Sequence, residues 1–271
     1  MSFIQAVLLG ILQGLTEFIP VSSSGHLVLV QHFFGVELGG NILFELFMHL
    51  GTLLAVFVYF RKNLVELFLS LFSWKNTVNQ EIHRKNRNLI LYLIIATFAT
   101  GIIYMMFGDS FKQVYEMPQF VAILLLVTGG IVFISDYLKE KAIPASNMGF
   151  LRAIAIGIGQ GFAILPGISR SGTTIATSLG MGIKRKDAAQ FSFLLSIPAI
   201  LAANLSEYRA FFLLKPQEIP GYLGGFISSF IVGYAVIAFL IRLIEQNHLK
   251  YFAYYCWIVG LLATTLLALG L

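Results

Sequence analysis

The feature that most constrains this chain is the length of its uninterrupted apolar runs. Six stretches, roughly 41–60, 89–107, 118–137, 188–206, 220–241 and 251–270, reach or approach the ~20 residues a helix needs to span the hydrocarbon of a bilayer. Only 11% of the 271 residues are charged and 58% are apolar, so the chain lacks the polar surface a water-soluble domain of this size requires. The expectation is an all-α integral membrane protein forming a single membrane domain over 1–271. Residues 2–19 lack the basic start and small-residue cleavage site of a signal peptide, so no removal is expected. Cys256 is the one cysteine, which excludes an intrachain disulfide and a thiolate metal cluster.

Two further apolar stretches, near 3–34 and 152–183, are broken in the middle by Pro, Gly and Ser. Irregular backbone at membrane depth survives only where protein or a watery cavity satisfies its polar groups. Both stretches are therefore read as re-entrant helix–loop–helix hairpins. The basic residues then sort by side. Placing 41–60 from outside to inside puts fourteen of the 18 Lys and Arg in inner loops, among them Arg61, Lys75, Arg84, Lys139, Arg152, Lys184 and Arg242. Lys112, Arg209 and Lys215 fall outside, Arg170 lies within the second hairpin, and both termini are outside. The net charge of +5 is thus read as topology, and nucleic acid is excluded as a partner. The run Arg61–Trp74 reads as an amphipathic helix along the inner interface, and Lys75–Arg87 as a solvated basic loop.

An internal repeat agrees with this layout. A shift of 147 matches Gly10 with Gly157, Gln13 with Gln160, Gly14 with Gly161, Ser22 with Ser169, Ser24 with Ser171, Gly25 with Gly172 and Phe44 with Phe191. Each repeat, approximately 3–137 and 150–270, holds one hairpin and three spans. The odd number of crossings inverts the second repeat, the design in which two broken elements meet near the midplane.

The first hairpin carries Gln13 and Glu17 four apart on one helical face, then Pro20, Ser22, Ser23, Ser24, Gly25 and His26. The second carries Pro166, Ser169, Arg170, Ser171, Gly172 and Thr173. Ser at each helix restart suits an N-cap, and two helix N-termini facing one cavity favour an anion. Ser22, Ser24, Gly25, Ser169, Ser171, Gly172 and Thr173 would line it. Arg170 at membrane depth costs roughly 2.5–3.5 kcal/mol and needs a partner. Its fork matches phosphate or carboxylate; the plainer alternative is a salt bridge to Glu17 that only ties the hairpins. Glu17, Ser23 and His26 belong to one half and Arg170 to the other, together the parts for phosphoryl transfer. Glu45 and His49, four apart on the next span, and Gln160 are weaker candidates for the cavity wall. Ser178, Ser192 and Ser196 are read as bonding to their own helices.

Gln13-x-x-x-Glu17, the run Pro20-Val-Ser-Ser-Ser-Gly-His26 and the run Pro166-Gly-Ile-Ser-Arg-Ser-Gly172 resemble the bacitracin-resistance type of undecaprenyl-diphosphate phosphatase. The resemblance covers essentially the whole chain, including Phe44–Thr52, and that family admits Glu or Gln where Gln13 stands. It implies an enzyme of the bacterial cytoplasmic (inner) membrane that takes the terminal phosphate from a C55 polyprenyl diphosphate. The site would open to the outer side and depend on Mg²⁺ or Ca²⁺. Glu17 would bind the cation or act as base, with Gln13 beside it. Ser23 would be the nucleophile and His26 the acid/base, with His26 as nucleophile the alternative. Arg170 would hold the diphosphate with Ser169, Ser171 and Thr173. The lipid, the membrane and a second copy of the chain are the admitted partners. An anion or lipid transporter built on the same repeat is the rival reading.

Overall fold

The structure, a computed structural model, describes residues 1–35, 42–73, 79–138, 142–246 and 248–270. Lys75, Lys139 and Lys141 of the charge count, with position 41 and Trp74, lie outside these. The described residues form eleven α-helices and no strand, only an isolated bridge between Ile143 and Ile183. In chain order they are α1 (Phe3–Phe18), α2 (Ser23–Phe34), α3 (Ile42–Tyr59), α4 (Arg61–Phe72), α5 (Gln80–Val114) and α6 (Pro118–Tyr137). After them come α7 (Phe150–Phe162), α8 (Arg170–Gly180), α9 (Arg185–Ser206), α10 (Ile219–Glu245) and α11 (Lys250–Ala268).

Five of these, α5, α6, α9, α10 and α11, are long and apolar enough to cross a membrane by length and composition. By the same test, and among the described residues, α3 and α4 make a sixth candidate when counted as one element, a pair bent by 74°. The bend puts Val65, Phe68, Leu69 and Phe72 of α4 on an exposed face while Leu67 and Ser70 are buried. α5 is much longer than the expected 89–107. Gln80–Arg87, read as a loop, is helical instead, because α4 gives its polar side chains partners. Ser70 bonds His83 Nδ1 at 3.0 Å and accepts from Asn86 Nδ2 at 3.0 Å, and Arg87 donates to the Ser70 carbonyl at 3.2 Å. Glu81 and Lys85 add an i,i+4 ion pair at 2.7 Å.

Small residues set which helices meet. A Cβ on Gly10 or Gly14 of α1 would collide with the α10 backbone at Gly225 and Gly233. One on Gly157 or Gly161 of α7 would collide with Ala96 and Ile103 of α5. Without those atoms the backbones close to contact, the usual device of helix packing in lipid. Polar groups then bond across the seams: Thr100 Oγ1 donates to the Gly157 carbonyl and Ser229 Oγ to the Met48 carbonyl, each at 2.9 Å. α6 and α11 pair through Gly129 under Trp257 and Gly260 under Leu126, with Trp257 Nε1 donating to the Leu126 carbonyl at 3.1 Å. The largest buried cluster, including Phe18, Phe191, Phe193 and Ile237, packs beneath the C-terminal end of α1.

Candidate functional site

Both broken stretches stop and restart where the sequence places Pro and Ser. α1 ends at Phe18, and α2 begins with Ser22 as N-cap, its Oγ accepting from the Gly25 N–H at 3.3 Å. α7 ends at Phe162, and α8 begins with Ser169 as N-cap, its Oγ accepting from the Gly172 N–H at 3.0 Å. The two breaks touch. Ser22 Oγ accepts from the Gly167 N–H at 3.1 Å, and Ser171 Oγ donates to the Ile19 carbonyl at 3.4 Å. A Cβ on Gly25 would lie 2.9 Å from the Gly167 Cα, and one on Gly172 would lie 3.2 Å from the Pro20 Cβ. Thr128 of α6 pins the second break, donating to the Gly167 carbonyl at 2.7 Å and accepting from the Ser169 N–H at 3.0 Å.

At this junction Glu17 is 7% exposed and fully engaged. Its Oε1 accepts from Arg170 Nη2 at 2.6 Å. Its Oε2 accepts from Gln13 Nε2 at 2.8 Å and from Ser23 Oγ at 2.7 Å, and faces His49 Nε2 at 3.5 Å. Arg170 also donates from Nη1 to the Ser192 carbonyl at 3.3 Å. Two helix starts, a guanidinium and a hydroxyl therefore converge on one carboxylate. Removing one partner of such a buried pair leaves the other uncompensated, at about 3–5 kcal/mol.

The structure distributes the remaining candidates unevenly. His49, read as a weak candidate, stands beside Glu17; its Nδ1 bonds the Glu45 carbonyl at 2.8 Å, which turns Nε2 toward the carboxylate. Glu45 lies within electrostatic reach of Glu17 and His49, and its carboxylate has no hydrogen-bond or ion-pair partner among the described residues. Ser24 shares a 3.4 Å contact with Ser22, and Ser169 one of 3.2 Å with Ser171. The Thr173 hydroxyl is buried without a partner among the described residues. His26 points elsewhere: Nδ1 meets the Ser22 carbonyl at 2.8 Å and Nε2 the Tyr255 hydroxyl at 2.9 Å.

Two readings are corrected. Gln160 does not line this junction: it is 1% exposed and donates to Thr100 Oγ1 of α5 at 3.1 Å. The cause is the close seating of α7 on α5 at Gly157 and Gly161, which turns the face between them into that seam. Ser192 bonds across helices, sharing a 2.6 Å hydrogen bond with Thr174, whereas Ser178 and Ser196 bond within their own helices as expected. Thr128 and Tyr255 escaped the sequence reading, since a lone Thr or Tyr within an apolar run carries no local signal. Tyr115, at the end of α5, was likewise missed; it lies beside Ser24 and in the field of Glu45 and Glu17.

Among the described residues no group of three His, Cys, Asp or Glu side chains is placed to hold a metal ion, so a divalent cation here would have to draw on single oxygens around the junction. Among the described residues the Glu45 side chain has no bonded partner, and Gln13 Oε1 is a buried acceptor with none. Mg²⁺ and Ca²⁺ prefer oxygen ligands of this kind.

The helices and this junction define a helical, multi-pass membrane protein with an ionised cluster enclosed where two helix breaks meet. The chain matches the family described as bacitracin resistance protein BacA over residues 6–262, and belongs to it. It is 39% identical to a protein of Methanobrevibacter smithii named undecaprenyl-diphosphatase, over 97% of this chain and 96% of that one. Similar proteins of the same name occur in Syntrophotalea carbinolica, at 40% identity over 96% of this chain and 97% of the relative, and in Treponema denticola, at 40% over 96% of each.

Proposed function

We propose that this protein hydrolyses undecaprenyl diphosphate to undecaprenyl phosphate and inorganic phosphate, recycling a lipid carrier for cell-wall synthesis. The observation that carries the reading is the convergence of Ser23 Oγ and Arg170 Nη2 on the two oxygens of Glu17, at 2.7 and 2.6 Å. Glu17 takes the Ser23 proton as the hydroxyl oxygen attacks the terminal phosphorus. The bond from that phosphorus to the bridging oxygen breaks, and undecaprenyl phosphate leaves. Water then attacks the phosphoserine, releasing phosphate and restoring the hydroxyl. Arg170 and the N–H groups opening α2 and α8 neutralise the phosphoryl oxygens, the main demand of this chemistry. Ser169, Ser171, Ser22 and Ser24 hold the two helix starts in place around the diphosphate. A Mg²⁺ or Ca²⁺ ion would be held by Glu17, Glu45 and Gln13, and supplies charge neutralisation when bound.

The architecture is read as two inverted repeats, 3–137 and 150–270, whose hairpins α1–α2 and α7–α8 enter the membrane from opposite sides. The support is the matched order of elements and their exchange of partners, with α1 seated on α10 and α7 on the corresponding α5. The charge bias of the loops supports a reading with both termini on the outer side of the cytoplasmic membrane, and the family resemblance alone supports a site that opens to that side. The carrier reading shares the inverted repeat but leaves the Ser23 hydroxyl bonded to the Glu17 carboxylate without a purpose.

The test is phosphate release from undecaprenyl diphosphate by purified protein in detergent, with and without Mg²⁺ or Ca²⁺, beside Glu17→Gln. Cation-dependent release that the substitution abolishes is the expected result. No release from folded protein overturns the reading.

A further inference from the structure

The imidazole of His26 sits one helical turn from Ser22, and the chain does something unusual there. Ser22 is at φ 69°, ψ 95°, a positive φ that Ser rarely adopts. Its counterpart Ser169 is ordinary, at φ −76°, ψ 117°. The next residue after Ser22 is Ser23, so this backbone aims the hydroxyl that bonds Glu17 at 2.7 Å.

Two donors hold the Ser22 carbonyl, the His26 N–H at 3.2 Å and His26 Nδ1 at 2.8 Å. A carbonyl has no proton to give, so Nδ1 carries the hydrogen, which leaves Nε2 to face the opposite side of the ring. The Tyr255 hydroxyl occupies Nε2 at 2.9 Å, with the two rings parallel to within 6°. Both nitrogens are thus committed, and His26 is 6% exposed. Among the described residues neither nitrogen bonds Glu17, Ser23 or Arg170; the imidazole near Glu17 belongs to His49. In the second half, where Ser169 is unstrained, the residue matching His26 is Thr173, whose hydroxyl makes no such clamp.

We propose that His26 is a positioning residue: it acts through the Ser22 carbonyl to hold Ser23 on Glu17, and Tyr255 fixes its ring from α11. This rests on the phosphatase reading and assigns His26 no proton transfer to the substrate.

Amide substitutions separate the two roles of the ring. Asn at 26 presents its Nδ2 where Nδ1 stands and can still donate to the Ser22 carbonyl, but cannot shuttle a proton. Gln reaches toward Nε2 and misses that carbonyl. Initial rates on undecaprenyl diphosphate in detergent are measured against pH for wild type, His26→Asn, His26→Gln, His26→Ala and Tyr255→Phe. Expected is a fall in kcat of about a hundredfold for Ala and Gln, the cost of misplacing a reacting group by about an ångström. KM is expected to hold. His26→Asn stays within about tenfold of wild type with the same pH profile, whereas loss of a general acid/base costs about 10²–10⁴-fold. Tyr255→Phe lowers kcat by a few fold without moving the pH profile. If His26→Asn elutes as wild type yet is as slow as His26→Ala, the proposal is overturned. If the Asn variant does not fold, a shifted pH limb in Tyr255→Phe overturns it and an unmoved one supports it. Inactive wild type would instead overturn the phosphatase reading.

Discussion

The two helix breaks are built from nearly the same residues and do different work. At 166–172 the turn takes its positive φ at Gly167, φ 96°, and Ser169 caps α8 without strain. At 20–25 the positive φ falls on Ser22, a residue with a Cβ, and a costly conformation of order 1–3 kcal/mol is held by Gly25, Gly167 and His26 around it. The strained break presents Ser23 and the unstrained one presents Arg170. On the proposed mechanism the strained turn would aim a group that must lie along a line of attack, while the relaxed turn would supply charge, which tolerates looser aim. Near-symmetric sequence thus supports an asymmetric site.

Removing the charge should break the comparison most severely. Arg170→Ala is expected to lower kcat/KM by about 10³-fold or more, the range for loss of a charge clamp in phosphoryl transfer. It should also destabilise the fold by about 3–5 kcal/mol, because Glu17 is left buried without its cation. Phosphate release and thermal unfolding in detergent check both, and Arg170→Lys should recover stability better than rate, since an ammonium lacks the planar fork. Next comes the contact between the breaks. Gly25→Ala forces a methyl to within 2.9 Å of the Gly167 Cα, backbone that cannot swing aside, whereas Gly172→Ala meets Val132 Cγ2 at 3.0 Å and Pro20 and Ser169 Cβ atoms at 3.2 Å. Unfolding of the first should fall by about 1–3 kcal/mol, the cost of overpacking, and more than that of the second; equal losses would show the breaks to be equally tight.

Smaller effects sharpen the picture. Thr128→Val deletes the hydroxyl serving both the Gly167 carbonyl and the Ser169 N–H, at about 1–3 kcal/mol for groups left unsatisfied. The loss should appear in thermal unfolding, and Ser22→Ala should not be additive with it if the two hydroxyls hold one turn. Smallest is Thr173→Val. Its buried hydroxyl has no partner among the described residues, so unfolding should stay within about 0.5 kcal/mol of wild type. A rise in KM without loss of stability would identify that hydroxyl as a diphosphate contact.

Periodicity exposed most of the helices and both breaks, because long apolar runs and Pro–Gly–Ser clusters are local signals. Where the reading departed from the structure, the missing information was tertiary. Gln80–Arg87 is polar enough to read as a loop, and Ser70 on a neighbouring helix makes it helical. Gln160 mirrors Gln13 in sequence, yet Gln13 bonds Glu17 while Gln160 bonds Thr100, because Gly157 and Gly161 seat that face of α7 directly on α5. His49 was underrated for the same reason: its approach to Glu17 depends on how α3 sits beside α1, and spacing along one helix does not report that.

The sequence by itself determined that the chain builds apolar helices, where two of them break, and which ionisable residues must be accounted for inside them. Those follow from composition and from short-range chemistry, since a charge or a Pro–Ser break in an apolar run is costly wherever the run packs. The tertiary structure alone decided who partners whom: Arg170 with Glu17 across 153 residues, Tyr255 with His26 across 229, and Thr128 with the second break. The physical reason is that a buried polar group needs a partner, and in this fold the glycine-lined seams between helices select it.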